Sequence, residues 1–113
     1  MMYFIDAQQR KASRSTLYFE FQIGRFQHKH WLSDSIYLHA DTFDQLGMYH
    51  LFSTYLPDFN YYGPTLVSPP QYEVLKAGAM SCGNEEIAAV FSELDNWVTN
   101  CFQKAPCFSI LGI

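Results

Sequence analysis

The sequence predicts an α+β domain in which an N-terminal antiparallel sheet packs against three helices and a C-terminal strand rejoins that sheet. Three observations carry this reading. In "STLYFEFQI" Leu17, Phe19, Phe21 and Ile23 alternate with Tyr18, Glu20 and Gln22, the period of two that gives a strand one apolar side. From residue 41 onward the apolar positions instead recur at three and four, behind residues that cap helices. The chain then closes with "CFSILGI", a short apolar run bounded by Pro106 and Gly112.

At 113 residues, nearly half of them apolar and 18% aromatic, the chain suits one domain with a single core. "MMYFID" opens it as a short strand, and "AQQRKASRS" follows as a polar, basic connection. Gly24, after the alternating strand, marks either a bulge or a tight turn into "FQHKHWL". "SIYLHA" is a further strand, with Ile36, Leu38 and Ala40 on one face and Tyr37 and His39 on the other.

The first helix runs through "TFDQLGMYHLFSTYL", capped by Asp41, with Asp44 in its first turn and Phe43, Leu46, Tyr49, Leu51 and Phe52 on its apolar side. Gly47 weakens it by about 1 kcal/mol, and Pro57 ends it. The second, "SPPQYEVLKAGAM", has Ser68 as cap, Pro69 at its first position and Gln71 completing a capping box. Gly78 and Gly83 are its candidate stops. The third begins at Asn84 with Glu85 and Glu86 in its first turn, and Ile87, Phe91, Leu94, Val98 and Cys101 form its stripe, widened by Val90 and Trp97.

Charge narrows the function. The net charge of -4 is divided unevenly, because residues 1–29 balance at +3 and the remainder at -7. An acidic chain whose basic groups sit in one early segment lacks the general basic face that nucleic acid requires. It suits a basic protein partner, whose encounter it would accelerate, and it also suits ordinary solubility. No apolar run is long enough to cross a bilayer and no secretion signal opens the chain, so a cytoplasmic location is expected. Cys82, Cys101 and Cys107 have no paired spacing, which predicts reduced, buried thiols.

Motifs for catalysis are missing. There is no GxSxG, HExxH, GxGxxG or phosphate-cradling loop. His28 and His30 lie two apart and His39 could approach from a neighbouring strand, an arrangement able to hold zinc, yet no paired cysteine or carboxylate supports it against exposed or partner-facing histidines. The carboxylate pairs Asp41 with Asp44 and Glu85 with Glu86 fall in first helical turns, where capping accounts for them. Neither an enzyme nor a cofactor is expected.

The stretch "LPDFNYYGP", Leu56 to Pro64, places Phe59, Tyr61 and Tyr62 among turn residues beside Asp58. Rings give contact area and the phenol and carboxylate give direction, which is the composition of protein interfaces. The competing reading folds those rings back over the helix ends. A pocket between sheet and helices, lined by Trp31, Tyr37 and Trp97, is a second possible use, for a small molecule.

The helix "NEEIAAVFSELDNWVTNCF" followed by "CFSILGI" resembles the C-terminal portion of small bacterial immunity proteins, which neutralise polymorphic toxins, including those of contact-dependent growth inhibition systems. The resemblance implies a cytoplasmic, non-enzymatic protein that binds one cognate toxin domain, often a nuclease, and masks its active site. It carries no interface position over to this chain. The residues expected to meet the partner, from the reading of the loop and the helix before it, are Asp41, Asp44, Asp58, Phe59, Tyr61 and Tyr62.

Overall fold

The computed structural model describes residues 3–112. Its elements are β1 (Phe4–Ile5), α1 (Ala7–Ser13), β2 (Tyr18–Ile23), β3 (Ile36–His39), α2 (Ala40–Gln45), α3 (Met48–Tyr55), β4 (Pro64–Val67), α4 (Pro69–Ser81), α5 (Glu85–Lys104) and β5 (Phe108–Leu111). The strands form one antiparallel sheet in the order β1-β3-β2-β5-β4. The predicted α+β class holds, and the closing strand does rejoin the sheet, not at its edge but between β2 and β4.

The alternation in β2 decides the layers. Phe19 and Phe21 face the helices with Ile36 and Leu38 of β3 and Phe108 and Ile110 of β5, and against them pack Phe43, Met48, Leu51, Phe52, Leu75, Val90, Phe91, Leu94 and Val98. Glu20 and Gln22, on the other face, are buried as well. That face is covered by the long irregular connection from Gly24 to Ser35, so the polar half of the alternating pattern is not solvent-facing.

Local chemistry explains most boundaries. Ser68 and Gln71 make the expected capping box, and Asn84 Oδ1 accepts from the amides of Glu86 and Ile87 at 2.9 and 3.2 Å. Glu93 of α5 accepts from the Tyr3 and Phe4 amides at 3.0–3.2 Å, tying the edge strand β1 to the longest helix. Tyr72 donates to Asp95 at 2.9 Å and Lys76 pairs with the same carboxylate at 3.1 Å, which joins α4 to α5.

Five expectations are corrected. Residues 7–13 are a helix, because Asp6 and Gln9 form a capping box of the same kind as Ser68 and Gln71. The span predicted as one helix from Asp41 is two, broken at Gly47, whose φ of 67° is left-handed and leaves the helical path. Its cap is His39, whose Nδ1 accepts from the Asp41 amide at 3.0 Å, so Asp41 stands in the first turn. Gly78 does not stop α4; it lies inside the helix where the Tyr55 ring crosses it, and a Cβ there would collide with that ring. Gly24 leads into neither a longer strand nor a hairpin, and "FQHKHWL" is irregular.

Candidate functional site

The loop between α3 and β4 divides its three rings. Phe59 packs against Phe43, Phe52 and Tyr49, with centroids 5.4–6.0 Å apart, and is half-buried. Tyr61 reaches the core edge, 5.2 Å from Phe19 and 5.8 Å from Tyr49. Tyr62, 5.1 Å from Tyr61, is 77% exposed. Both readings of the loop are therefore realised: two rings fold back, and one stands out.

The backbone of this loop is fixed at several points. Phe59 N–H donates to Leu56 O at 2.9 Å, Asn60 N–H to the buried Thr65 hydroxyl at 3.0 Å, and Tyr62 N–H to Asn60 Oδ1 at 2.9 Å. Gly112 N–H donates to Gly63 O at 3.3 Å. Gly112 is required by close approach, since a Cβ there would meet the Tyr61 carbonyl oxygen, a backbone atom with little room to yield.

Acidic groups border the rings. The Tyr61 hydroxyl donates to both oxygens of Asp44, at 3.0 and 3.2 Å, and so joins the loop to α2. Partial burial, followed by that hydrogen bond and the carboxylate charge, pushes the Tyr61 phenol above its ordinary range. Asp41 is exposed one turn earlier in α2, with its carboxylate 3.8 Å from His39 Nδ1, and Asp58 is exposed in the loop itself. The structure thus brings Asp44, Phe59, Tyr61 and Tyr62 into one cluster. Tyr49, which is 51% exposed and packs on Phe59 and Tyr61, belongs to it although the helical periodicity assigned it to the apolar side. The break at Gly47 rephases α3, so that Met48, Leu51 and Phe52 turn inward and Tyr49 turns out.

The other candidates are dispersed. His28 and His30 flank Phe26, each about 5.2 Å from its ring, while His39 caps α2 and packs on Tyr18. Among the described residues no group of three or more His, Cys, Asp or Glu side chains is placed to share a metal ion. Cys101 and Cys107 are buried free thiols, and burial raises the Cys101 thiol above its usual range. Cys82, in contrast to the expectation, is exposed.

The pocket expected at Trp31, Tyr37 and Trp97 is filled by structure. Tyr37 is fully buried and donates to Leu32 O at 2.6 Å, Trp97 Nε1 donates to Asp34 O at 3.2 Å, and the Trp31 ring lies under the Arg10 guanidinium at 4.2 Å. A cavity of about 360 Å3 opens elsewhere, between α3 and the end of α4, where His50, Thr54, Tyr55, Ser81 and Cys82 line it. No described helix is long and apolar enough to cross a membrane. The chain matches no protein-family model, and no curated protein and no solved structure matches it.

Proposed function

We propose that the chain is a cytoplasmic immunity protein, without catalytic activity, that binds a cognate toxin domain and blocks its active site. The observation that supports this is the cluster of Tyr49, Tyr61 and Tyr62, with Asp44 bonded to Tyr61, Asp41 a turn away and Asp58 exposed in the same loop. Tyr49 and Tyr62 are exposed on either side of the half-buried Tyr61, and exposed tyrosines on a fixed backbone are suited to binding, because little conformational freedom is lost on contact. Contiguous exposed rings are rare on a monomer that has nothing to cover them. The acidic border selects a basic surface, and a nuclease is basic where it holds phosphates, so the toxin is proposed to be a nuclease.

The test is affinity capture of the tagged chain from its native cells, with retained proteins identified by mass spectrometry and then assayed for toxicity. A single basic domain that resists high-salt washing, and from which the chain rescues growth, is the expected result. Joint replacement of Tyr61 and Tyr62 by alanine should weaken that complex by several kcal/mol, about a hundredfold or more. A folded double variant that protects as well as the parent would overturn the assignment of these residues.

The 360 Å3 cavity supports a second reading, a small-molecule binding or regulatory domain. On that reading a bound metabolite raises the melting temperature by mass action, and the captured chain is alone and monomeric.

A further inference from the structure

The five buried polar side chains among the described residues, Glu20, Gln22, Ser35, Thr65 and Ser109, all serve two loops. Glu20 accepts from the amides of Trp31 and Leu32 at 2.8 and 2.9 Å and from the Ser35 hydroxyl at 2.7 Å. Gln22 Nε2 donates to Lys29 O at 2.7 Å, and the Ser109 hydroxyl donates to Gly24 O at 2.7 Å. Thr65 receives Asn60 of the aromatic loop. A sheet face that needed only to be covered would use apolar side chains, because a buried polar group costs free energy until it is paired. Here the hydrogen-bonding capacity of the sheet is directed to fixing loop backbone. His28 and Trp31 are held at φ of 62° and 61°, a left-handed conformation uncommon outside glycine.

The two fixed loops meet. Phe26 and His30 from one, and Tyr62 and Gly63 from the other, wall a cleft of about 200 Å3 that Pro64 of β4, Leu111 and Gly112 also line. Apolar cavities of about 150 Å3 accept a benzene ring, so this cleft has room for one aromatic side chain. The Gly112 amide is already given to Gly63 O. The side chains lining the cleft therefore offer two polar tips, the His30 imidazole and the Tyr62 phenol, on separate loops.

We infer that this cleft is the anchor slot for a single tyrosine or tryptophan side chain of the basic protein partner, an inference that rests on the immunity reading. The slot is continuous with the proposed contact surface through Tyr62, whose ring touches Tyr61 as well. Aromatic anchors seated in preformed pockets carry a large share of binding energy at interfaces. A nucleobase is the less suitable occupant, since it is recognised through several hydrogen bonds along its edges, and the side chains of the cleft offer two polar tips.

The experiment titrates the full chain with N-acetyltyrosinamide, N-acetyltryptophanamide and uridine monophosphate, following the ring signals of Phe26, His30 and Tyr62 by NMR. Expected is a saturable shift with either amide, with a dissociation constant on the order of 1 mM, that vanishes in His30→Trp, where the larger ring fills the cleft. The Phe26→Ala variant, which opens the slot, should weaken the amides at least severalfold while core signals stay in place. Absence of saturation with both amides, or tighter binding of the nucleotide, overturns the slot. The two readings fail separately. A captured toxin bound by His30→Trp as tightly as by the parent removes the slot and leaves immunity standing. Saturable amide binding by a chain that protects against no toxin removes immunity and leaves the slot.

Discussion

Replacing Glu20 by alanine tests whether the second face of the sheet is held by the carboxylate. Glu20 is buried, and its oxygens receive two backbone amides and one hydroxyl at 2.7–2.9 Å, with the Tyr37 hydroxyl at 3.4 Å. Alanine leaves the Trp31 and Leu32 amides without that acceptor in a partly buried setting. An unpaired amide costs about 1–3 kcal/mol, and the Ser35 and Tyr37 hydroxyls can turn to other acceptors, so a loss of about 3 kcal/mol is expected. For a domain of this size that lowers the melting temperature by about 12 °C. Far-UV circular dichroism measures the midpoint, and amide exchange at Trp31 and Leu32 reports the loop directly. Glu20→Gln keeps one acceptor oxygen and should lose about half as much. A Glu20→Ala midpoint within about 3 °C of the parent, with the two amides still protected, would refute the argument, because it would mean the loop is held by its covering contacts alone.

Gly112→Ala should displace the aromatic loop by forcing a methyl against the Tyr61 carbonyl, costing about 1–3 kcal/mol and, on the proposed reading, weakening partner binding more than core stability; urea unfolding and a binding titration separate the two. Gly78→Ala sets a helix-propensity gain of about 1 kcal/mol against a collision with the Tyr55 ring. A net loss of roughly 1 kcal/mol in urea unfolding is expected, and a stabilised variant would show that Tyr55 swings aside freely. The Tyr37 phenol is pushed up to about 12, first by burial and then by the Glu20 charge, and that of Tyr72 is raised by burial and by its hydrogen bond to Asp95. Both neutral phenols are favoured by the fold, so their contribution is complete below the ordinary tyrosine range near pH 10 and declines as the pH climbs above it. Absorbance at 295 nm should show the Tyr37 and Tyr72 phenols ionising only above that ordinary range.

What the sequence disclosed follows from where side chains point. The β2 alternation, the Ser68 and Gln71 box, the Asn84 cap and the closing apolar run are local signals, and each reappears in the fold. Helix α1 carries a cap as clear as that of α4, but none of its residues is buried, so it has no apolar stripe to disclose it. Strand β4 has four residues, begins with proline and exposes every second side chain, which reads as loop. The burial of Glu20 and Gln22 was not legible, because period two reports only that two faces differ, not what covers the second. In the candidate site the ring-rich composition was legible, while the pairing of Tyr61 with Asp44 and the meeting of Tyr62 with His30 depend on tertiary placement that no spacing encodes.

The position of β5 bears on how the protein comes into being. Among the described residues its four positions alone bridge the β1-β3-β2 half of the sheet and β4, and pairing β2 to it closes a chain segment of roughly 90 residues, a slow, entropically opposed step. A nascent chain that has not yet extruded Phe108–Leu111 holds two bare strand edges and nothing to set Tyr61 against Gly112. Inhibitory competence on the proposed reading is thus gained in one step, when that strand inserts, and chains in which it has not inserted are neither protective nor safe from pairing with each other.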